Sequence, residues 1–315
     1  QAMAFEPMDH RGAMGTSGTP TIGGLFAVNS SGPRRFTAGA ARDHLLGVRF
    51  VNGAGEAVKA GGKVMKNVTG LDLVKLLAGS HGTLGFITEV TFKVLPVPKT
   101  AVTIVLSGLE DEQAMKALAA ALSLSVEVSG AAHLPESVRG RFIDGKLPEG
   151  AATVMRLEGL EASVTVRAEK LMAAVAGFGP VSRLDADDTK ALWAEIRDVL
   201  PYADGTARPL WRLSMAPSQA WKLVAGLRLR AGIDAYYDWQ GGLVWMRMEA
   251  DPEAEVLRHG IRTLGGGHAT LLRAAPQIRS EIPAFEPQAP AVALLSARVR
   301  AKLDPHGIFN PGLMT

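Results

Sequence analysis

The sequence has no cysteine, no long apolar run and no excess of charge of one sign. Without cysteine, this chain forms no disulfide framework, no thiolate metal site and no iron–sulfur centre of its own, and it suits a reducing compartment. Because no run approaches 18 apolar residues and no charged stretch followed by an apolar one opens the chain, neither a membrane span nor a signal peptide is predicted. The formal charge of +3 is spread along the sequence, which disfavours nucleic acid as a partner.

Several motifs of phosphate binding and catalysis are also missing. No GxGxxG opens a helix, Val64 stands where a Walker A loop needs Ser or Thr, and Thr19 stands where a nucleophile elbow needs glycine. None of the seven histidines belongs to an HExxH motif or shows ligand spacing, so no metal is predicted. These absences disfavour Rossmann nicotinamide binding, nucleotide hydrolysis, serine hydrolysis and zinc-protease chemistry.

Composition divides the chain into two regions. Residues 1–98 contain 16 of the 35 glycines and neither Trp nor Tyr, whereas every Trp and Tyr lies between Trp193 and Trp245. The prolines within Leu95–Lys99 interrupt any strand ladder, because proline lacks the backbone N–H donor. They predict a domain boundary at this point. We therefore predict one domain over 1–98, a second domain over 99–288, and a C-terminal helix and tail over 289–315.

Hydrophobic periodicity predicts an α+β fold. The first region alternates β-type runs with glycine turns and contains one short helix, "GLDLVKLLAGS". The middle region repeats a strand–helix–strand–strand–helix–strand order twice, around a linking helix at Asp187–Leu200, with one of its strands near Val126. This order predicts two ferredoxin-like halves that form an antiparallel sheet with helices on one face. The last helix is predicted over Ala291–Lys302.

Two glycine-rich stretches are candidate ligand loops, "TIGGLFAVNSSG" at residues 21–32 and "GSHGTLGFIT" at residues 79–88. In the first, backbone amides could converge on an anion, because glycine permits close approach and successive amides form a nest. In the second, a helix ends and a strand begins, which offers amides and threonine hydroxyls to a heterocycle. The alternative at both places is a tight turn between strands.

These stretches carry a resemblance to a known family. The ordered motifs "TIGGLFAVNSSGPRR", "GGKVMKNVTGLDLVKLLAGSHGTLGFITEVTFKVLP" and "LDPHGIFNPG" resemble the FAD-binding domain of vanillyl-alcohol-oxidase type flavoproteins. "GGKVMKNVTGLDL", "SSGPRR" and "GGGHATL" resemble more specifically the FAD-binding (E) subunits of bacterial glycolate oxidase complexes. The resemblance implies that residues 1–98 are the C-terminal part of a two-subdomain, PCMH-type FAD-binding domain and that residues 99–288 are an α+β cap or substrate domain. It further implies that the helix and tail over 289–315 return to the FAD-binding domain. It also implies a further N-terminal subdomain, with another diphosphate loop, ahead of Gln1.

The resemblance assigns twelve residues to the cofactor. In chain order they are Thr21, Gly23, Gly24, Asn29, Ser31, Gly32, Asp43, Gly82, Gly85, Ile87, Thr88 and Asn310. The first three line the diphosphate and ribityl chain of FAD, and the next three follow them along the cofactor. Asp43 fixes the neighbouring loop, and the remaining residues lie at the flavin end. For Asn310 the alternative is a simple turn. His81 and Leu71 depart from the family, which often has Glu and Tyr at these positions.

Other candidates come from the residues alone. His268, after three glycines, is a weak candidate for an active-site base, and a buried hydrogen-bonded histidine at a turn is the favoured alternative. A substrate carboxylate calls for arginine, with Arg247, Arg273 and other arginines as candidates. The cluster "AYYDWQGGLVWMRM" is either an aromatic substrate wall or, as favoured, a core or an interface. Lys63 and Lys66 either offset cofactor charge or are solvated.

The implied function is oxidation of glycolate, or another 2-hydroxy acid, by hydride transfer to FAD in a complex with a second flavoprotein subunit and an iron–sulfur subunit. A cytoplasmic location, with membrane-surface association through the complex, follows from the same resemblance. Two alternatives stay open: a stand-alone D-lactate-type dehydrogenase and a non-catalytic assembly subunit.

Overall fold

The computed structural model describes residues 1–65 and 70–314. These residues form two compact units. Unit 1 comprises Gln1–Met8, Ser17–Pro96 and Pro287–Thr315, and unit 2 comprises Asp9–Thr16 and Val97–Glu286. No sequence feature indicated that Asp9–Thr16 belongs to unit 2.

The described chain begins with four helices and then mixes strands with further helices. The helices are α1 (His10–Met14), α2 (Ile22–Ala27), α3 (Arg35–Ala38), α4 (Ala41–His44), α5 (Leu73–Leu77), α6 (Asp111–Leu122), α7 (Glu136–Arg139), α8 (Glu161–Val175), α9 (Ala186–Arg197), α10 (Pro217–Arg228), α11 (Ala254–Thr263), α12 (Pro276–Glu281) and α13 (Pro290–Leu303). The strands are β1 (Leu45–Val51), β2 (Ala57–Gly61), β3 (Phe86–Phe92), β4 (Thr100–Ser107), β5 (Gly130–Leu134), β6 (Ala152–Gly159), β7 (Val181–Leu184), β8 (Leu210–Met215), β9 (Ile233–Asp238), β10 (Leu243–Met248) and β11 (Gly267–Arg273).

Unit 1 is built on a three-stranded antiparallel sheet in the order β2-β1-β3. Its core contains Phe5, Phe26, Leu45, Phe50 and Leu77, all almost fully buried. Helices α2, α4 and α5 pack against this sheet or against one another. The prediction of a single short helix in this region was wrong, because α2, α3 and α4 precede the sheet. These helices have only four to six residues, so local caps and tertiary packing define them rather than a long periodic pattern.

Unit 2 is built on an eight-stranded sheet in the order β11-β8-β10-β9-β5-β6-β4-β7. The four strands β4 to β7 and the four strands β8 to β11 each adopt the ferredoxin-like order, and the halves join where β5 pairs with β9. The predicted pair of ferredoxin-like halves is confirmed. The linking helix α9 packs on β4 of the first half. Its Trp193 donates a hydrogen bond from Nε1 to Thr103 Oγ1 on that strand (2.9 Å).

One predicted strand begins later than expected. The strand expected near Val126 begins at Gly130, after a turn in which Glu127 has a φ of 52°. Because this left-handed conformation cannot continue a β-strand, the ladder starts only beyond it.

A buried polar cluster lies where the two halves of unit 2 join. Asp111 Oδ1 is 3.2 Å from His133 Nε2, and Asp111 Oδ2 accepts hydrogen bonds from Tyr237 and from Arg228 (2.7 Å for Arg228). The His133 Nδ1 atom is 2.9 Å from Thr153 Oγ1. Asp111 and His133 belong to the first half and Tyr237 and Arg228 to the second, so the cluster links the halves through one carboxylate.

Candidate functional site

A groove of about 700 Å³ lies within unit 1. It is lined by helix α2, the turn after α5, the first residues of β3 and the tail after α13. The lining residues are Thr21, Ile22, Gly23, Gly24, Ala27, Val28, His81, Gly82, Gly85, Phe86, Ile87, Thr88, Glu89, Val90, Ile308, Phe309 and Asn310. Eight of the twelve residues expected at the cofactor therefore come together here.

Helix α2 forms one wall and explains the "TIGG" motif. Thr21 caps the helix, and its hydroxyl accepts a hydrogen bond from the Gly24 amide (3.1 Å). A Cβ at Gly23 would lie 3.7 Å from the Ile87 carbonyl oxygen, so α2 packs closely on β3 at this residue. The two glycines belong to a helix, not to a turn between strands. The Gly24 amide, which we expected to face an anion, is bonded to the helix's own cap.

The turn at residues 79–82 closes the end of this helix. The amides of Gly79 and His81 donate to the carbonyl oxygens of Phe26 (3.2 Å) and Ala27 (2.8 Å) at the C-terminus of α2. His81 and Gly82 have φ values of 52° and 69°, which bend the chain back toward β3. The "GSHG" segment therefore fixes the position of α2 while exposing its own backbone to the groove.

The start of β3 forms the floor. A Cβ at Gly85 would stand 2.7 Å from Cδ2 of the buried Phe50 ring and 2.9 Å from the Val51 carbonyl oxygen, so only glycine fits. Thr88, expected to offer its hydroxyl to a ligand, donates that hydroxyl to the Arg49 carbonyl oxygen (3.2 Å). Phe86 is 66% exposed and lines the groove. The residue type gives no signal of this role, because most phenylalanines on strands are core residues.

The C-terminal tail forms the remaining wall. The Asp304 carboxylate accepts hydrogen bonds from the backbone amides of Ile308 (3.1 Å) and Phe309 (2.8 Å). Burial alone would raise the pKa of Asp304, but backbone donors at residues 307–309 outweigh it and hold the pKa below its usual value. Asn310 Nδ2 then donates to the His81 carbonyl oxygen (2.9 Å). The tail is thus folded by Asp304 and bonded by Asn310 to the 79–82 turn.

Replacing Asn310 with glycine is expected to weaken FAD binding about 3- to 10-fold, the loss of one neutral hydrogen bond. Glycine accepts the φ of 42° at this position, so the substitution removes the carboxamide without adding backbone strain. Fluorescence titration with FAD measures the change. The exposed Gln288→Gly variant is the matched control. Unchanged FAD affinity in Asn310→Gly would show that the bond to His81 does not shape the groove.

The other four expected cofactor residues lie beside the groove and support it. Asn29 Oδ1 accepts from the Arg42 amide (2.8 Å), Ser31 Oγ from the Ala41 amide (3.0 Å), and Asp43 Oδ2 from the Ala40 amide (2.8 Å). These acceptors satisfy the first amides of α4, and the Gly32 amide donates to the Phe5 carbonyl oxygen (2.8 Å). The side chains of Asn29 and Ser31 hold the start of α4 instead of contacting the groove, whereas the resemblance already implied that Asp43 fixes the neighbouring loop.

The candidate residues in unit 2 differ in their burial and in their contacts. Arg247 is paired with Asp204 (2.8 Å) and Glu249 (3.1 Å), and Arg273 donates to the carbonyl oxygens of Ala13 and Tyr202. Both are therefore committed to contacts inside unit 2. His268 is exposed at the start of β11, so the alternative of a buried histidine was wrong.

The aromatic cluster of unit 2 is largely core. Trp211, Tyr236 and Tyr237 are fully buried, and Trp245 almost so, as the favoured interpretation predicted. Lys63 is exposed. Lys66 lies outside the described residues, as do Val68 and Thr69 of the "GGKVMKNVTGLDL" motif.

The groove fits the FAD that the sequence led us to expect. Its volume is in the range of small-molecule sites, and glycines in its walls let a ligand approach the backbone closely. Phe86 and Ile308 supply an exposed apolar surface for a heterocycle. The hydroxyls of Thr21 and Thr88 also lie in the lining, but each already has a backbone partner, the Gly24 amide and the Arg49 carbonyl oxygen. The described lining contains no Arg or Lys, and its one carboxylate is Glu89, so the excess of Arg and Lys over Asp and Glu in unit 1 lies outside the groove lining.

Metal-binding clusters and membrane-spanning helices are both absent from residues 1–65 and 70–314. In this part of the chain, no group of three or more His, Asp or Glu side chains is arranged to hold a metal ion. Within the same residues, no helix is both long and apolar enough to cross a membrane.

Comparison with known proteins identifies the family. A family model described as "FAD binding domain" matches residues 10–61. Glycolate oxidase subunit GlcE of Escherichia coli is 32% identical over 298 residues, 93% of this chain and 71% of that protein. Glycolate oxidase subunit GlcD of Bacillus subtilis is 43% identical over 84 residues, 27% of this chain and 18% of that protein.

Two more comparisons bear on the sequence and the fold. A D-lactate dehydrogenase of Anaerostipes hadrus is 42% identical over 93 residues, 29% of this chain and 20% of that protein. The solved structure of an alkyldihydroxyacetonephosphate synthase is similar over 93% of this chain and 58% of that chain, with a TM-score of 0.58 and 18% identity, which shows the fold alone. Because the identity to GlcE extends over most of both chains, this chain belongs to the FAD-binding flavoprotein family that contains the GlcE subunits of glycolate oxidase.

Proposed function

We propose that this chain is the FAD-binding subunit of a complex that oxidises glycolate, or a related 2-hydroxy acid, to the corresponding 2-oxo acid. The single observation that supports this most strongly is the groove of unit 1, in which the family's glycine motifs and the tail come together. The names of the GlcE and GlcD relatives supply the substrate class and the assembly with other subunits.

In this proposal the chain's own residues hold and orient the cofactor. Gly23, Gly24, Gly82 and Gly85 let it lie against backbone, and Asn310 keeps the His81 turn in place beside it. Thr21, Ile87 and Thr88 complete the lining. When bound, FAD supplies the hydride acceptor for the C–H bond of the hydroxy acid. Asn29, Ser31, Gly32 and Asp43 act indirectly, since their hydrogen bonds fix the loop and helix next to the groove.

The partners in this proposal are a second flavoprotein subunit and an iron–sulfur subunit that carries electrons onward. The relatives named as subunits support an assembly. The iron–sulfur partner and a cytoplasmic complex associated with the membrane surface rest on the sequence resemblance.

The test is anaerobic reduction of the flavin. The native protein is purified alone and with its co-expressed partner subunits, its acid-released cofactor is identified, and glycolate or D-lactate is added under anaerobic conditions. Bound FAD that is bleached by glycolate supports the proposal, and a requirement for the partner subunits supports the subunit role. FAD bleached by D-lactate alone would favour the stand-alone dehydrogenase. Bound FAD that neither acid bleaches, even in the complex, would contradict the proposed activity and favour an assembly role.

A further inference from the structure

The segment that follows helix α13 is a loop whose two ends are bonded to one residue of that helix. At its start, the Asp304 amide donates to the Arg300 carbonyl oxygen (2.7 Å). At its end, the Arg300 guanidinium donates to the Met314 carbonyl oxygen (2.6 Å). Because Arg300 contacts both ends, the segment has the closed form of an Ω-loop. Residues 304–314 are called the tail loop below.

The base of the tail loop is fixed to the body of unit 1. Val299 and Leu303 of α13 pack against the core of this unit. The amide of Gly53, in the turn between β1 and β2, donates to the Leu303 carbonyl oxygen (2.7 Å). A Cβ at Gly53 would overlap the carboxylate of Asp304 and stand 2.6 Å from its Cα, so Asp304 lies against this turn only because residue 53 is glycine.

The tip of the tail loop is far less buried than its base. Asp304 is 4% exposed, whereas residues 305–308 and 310–313 are exposed and Phe309 is half-buried. Ile308, Phe309 and Asn310 nevertheless line the groove, and Asn310 bonds to the His81 carbonyl oxygen. A segment with a fixed base and little buried apolar surface at its tip can open locally while the rest of the domain stays folded.

Two glycines flank the tip and are suited to be hinges. Gly307 and Gly312 have φ values of 63° and 81°. A Cβ at either residue would meet no atom within 4 Å, so close packing does not require glycine there. The backbone conformation favours it, because other residues are strained in the left-handed region. Glycine also absorbs the changes of φ and ψ that a hinge motion needs.

We propose that residues 307–312 are a strap that opens to admit FAD and closes beside it, and that Arg300 and Asp304 are positioning residues that hold the closed form. FAD as the ligand rests on the proposed function. Neither Arg300 nor Asp304 lines the groove. Asp304 acts through the amides of Ile308 and Phe309, whose hydrogen bonds its carboxylate accepts. Arg300 acts through the Met314 carbonyl oxygen, which fixes the far end of the strap.

The test is the rate at which FAD leaves the FAD-loaded native protein, measured as flavin in the filtrate after dilution. Arg300→Met is expected to release FAD about 10-fold faster, because a charge-assisted hydrogen bond to the loop end is lost. Arg300→Lys keeps a charged donor, so its rate should lie between those of Arg300→Met and the wild type. Arg298→Met removes an exposed arginine from the same helix and is the control, which should match the wild type.

Gly53→Ala tests Asp304 without changing any residue of the tail loop. The added methyl group displaces the carboxylate from its place beside the turn, and the amides of residues 308 and 309 lose part of their hydrogen bonding. We expect FAD release about 3- to 10-fold faster. Gly62→Ala, just beyond β2 of the same hairpin, is the control, because a Cβ at Gly62 meets no atom within 4 Å.

Amide hydrogen exchange separates a strap from a general loss of stability. In Arg300→Met the amides of Ile308 and Phe309 should exchange faster than in the wild type, and those of β1 should be unchanged. Wild-type rates of FAD release in both Arg300→Met and Gly53→Ala would overturn the proposal. Equal acceleration of exchange in the tail loop and in β1 would overturn it as well.

A further outcome separates the strap from the proposed function. A protein whose FAD release depends on Arg300 and Gly53, but which does not oxidise glycolate even with its partner subunits, would support the strap and contradict the proposed activity. Glycolate oxidation with FAD release that is the same in the wild type and both variants would do the reverse.

Discussion

Replacing Gly85 with alanine is expected to destabilise unit 1 by about 2 kcal/mol and to lower FAD affinity at least about tenfold. The added methyl group would meet the Phe50 ring at 2.7 Å and the Val51 carbonyl oxygen at 2.9 Å. Phe50 is buried in the core of unit 1, and Val51 belongs to the neighbouring strand, so neither atom can move without shifting β1 or β3. Since β3 forms the floor of the groove, such a shift changes the cofactor site directly.

Urea unfolding and FAD titration measure the two parts of this prediction separately. Gly18→Ala is the matched control, because a Cβ at Gly18 meets no atom within 4 Å. A Gly85→Ala protein with wild-type stability and wild-type FAD affinity would show that the start of β3 does not form the floor of the site.

Replacing Asp111 with alanine is expected to destabilise unit 2 by about 3–5 kcal/mol, the range for breaking a buried ionic network at one partner. Asp111 accepts from Tyr237 and Arg228 and faces His133, so its loss leaves polar groups of both halves without their acceptor. Urea unfolding measures the change. The control is Glu112→Ala on the same helix, which breaks only an exposed pair with Lys116 and should change stability by less than about 1 kcal/mol. Equal stabilities of the two variants would contradict this role.

The same carboxylate predicts a dependence of stability on pH. Burial raises the pKa of Asp111, but hydrogen bonds from His133 and Tyr237 and the charge of Arg228 outweigh burial, so the folded-state pKa lies below 3.8. A lowered folded-state pKa gives stability that is fully present above the unfolded value and is lost as pH falls through the folded value. The stability difference between wild type and Asp111→Asn should therefore shrink in acid below about pH 4. A difference that grows on acidification would contradict the sign.

The fold of unit 2 could be predicted from the sequence because its elements are long and periodic. The helices of ten to fifteen residues in each half carry a helical period, and strands such as β4 and β10 are short, mostly apolar runs that are buried over most of their length. The one misplaced strand, at Gly130, begins late because Glu127 interrupts it with a left-handed residue. A non-glycine residue at positive φ leaves no signal in the sequence.

Unit 1 was less predictable because its first helices are too short to show a period. Helix α4 exists because Asn29, Ser31 and Asp43 supply acceptors to its first amides. Asn29 and Ser31 lie about ten residues earlier in the chain, so they join α4 only through tertiary structure. The pattern predicted polar loop residues there, but not which backbone groups they would bind.

The residues of the candidate site also differ in how far the sequence predicts them. Glycines such as Gly82 and Gly85 could be identified from sequence, because dense glycine indicates close backbone approach. Phe86 and Arg300 could not, since a phenylalanine on a strand and one arginine among many carry no distinguishing pattern. Their roles depend on exposure and on tertiary hydrogen bonds, which only the folded chain defines.

The proposed function depends above all on binding of FAD in the groove of unit 1. The most direct measurement is the FAD content of the native protein, followed by titration of the cofactor-free wild type, Gly85→Ala and Gly18→Ala with FAD. We predict one FAD per chain in the wild type, retention in Gly18→Ala and loss of tight binding in Gly85→Ala. A wild-type protein that carries no flavin and binds none, or a Gly85→Ala protein that binds FAD as tightly as the wild type, would contradict it.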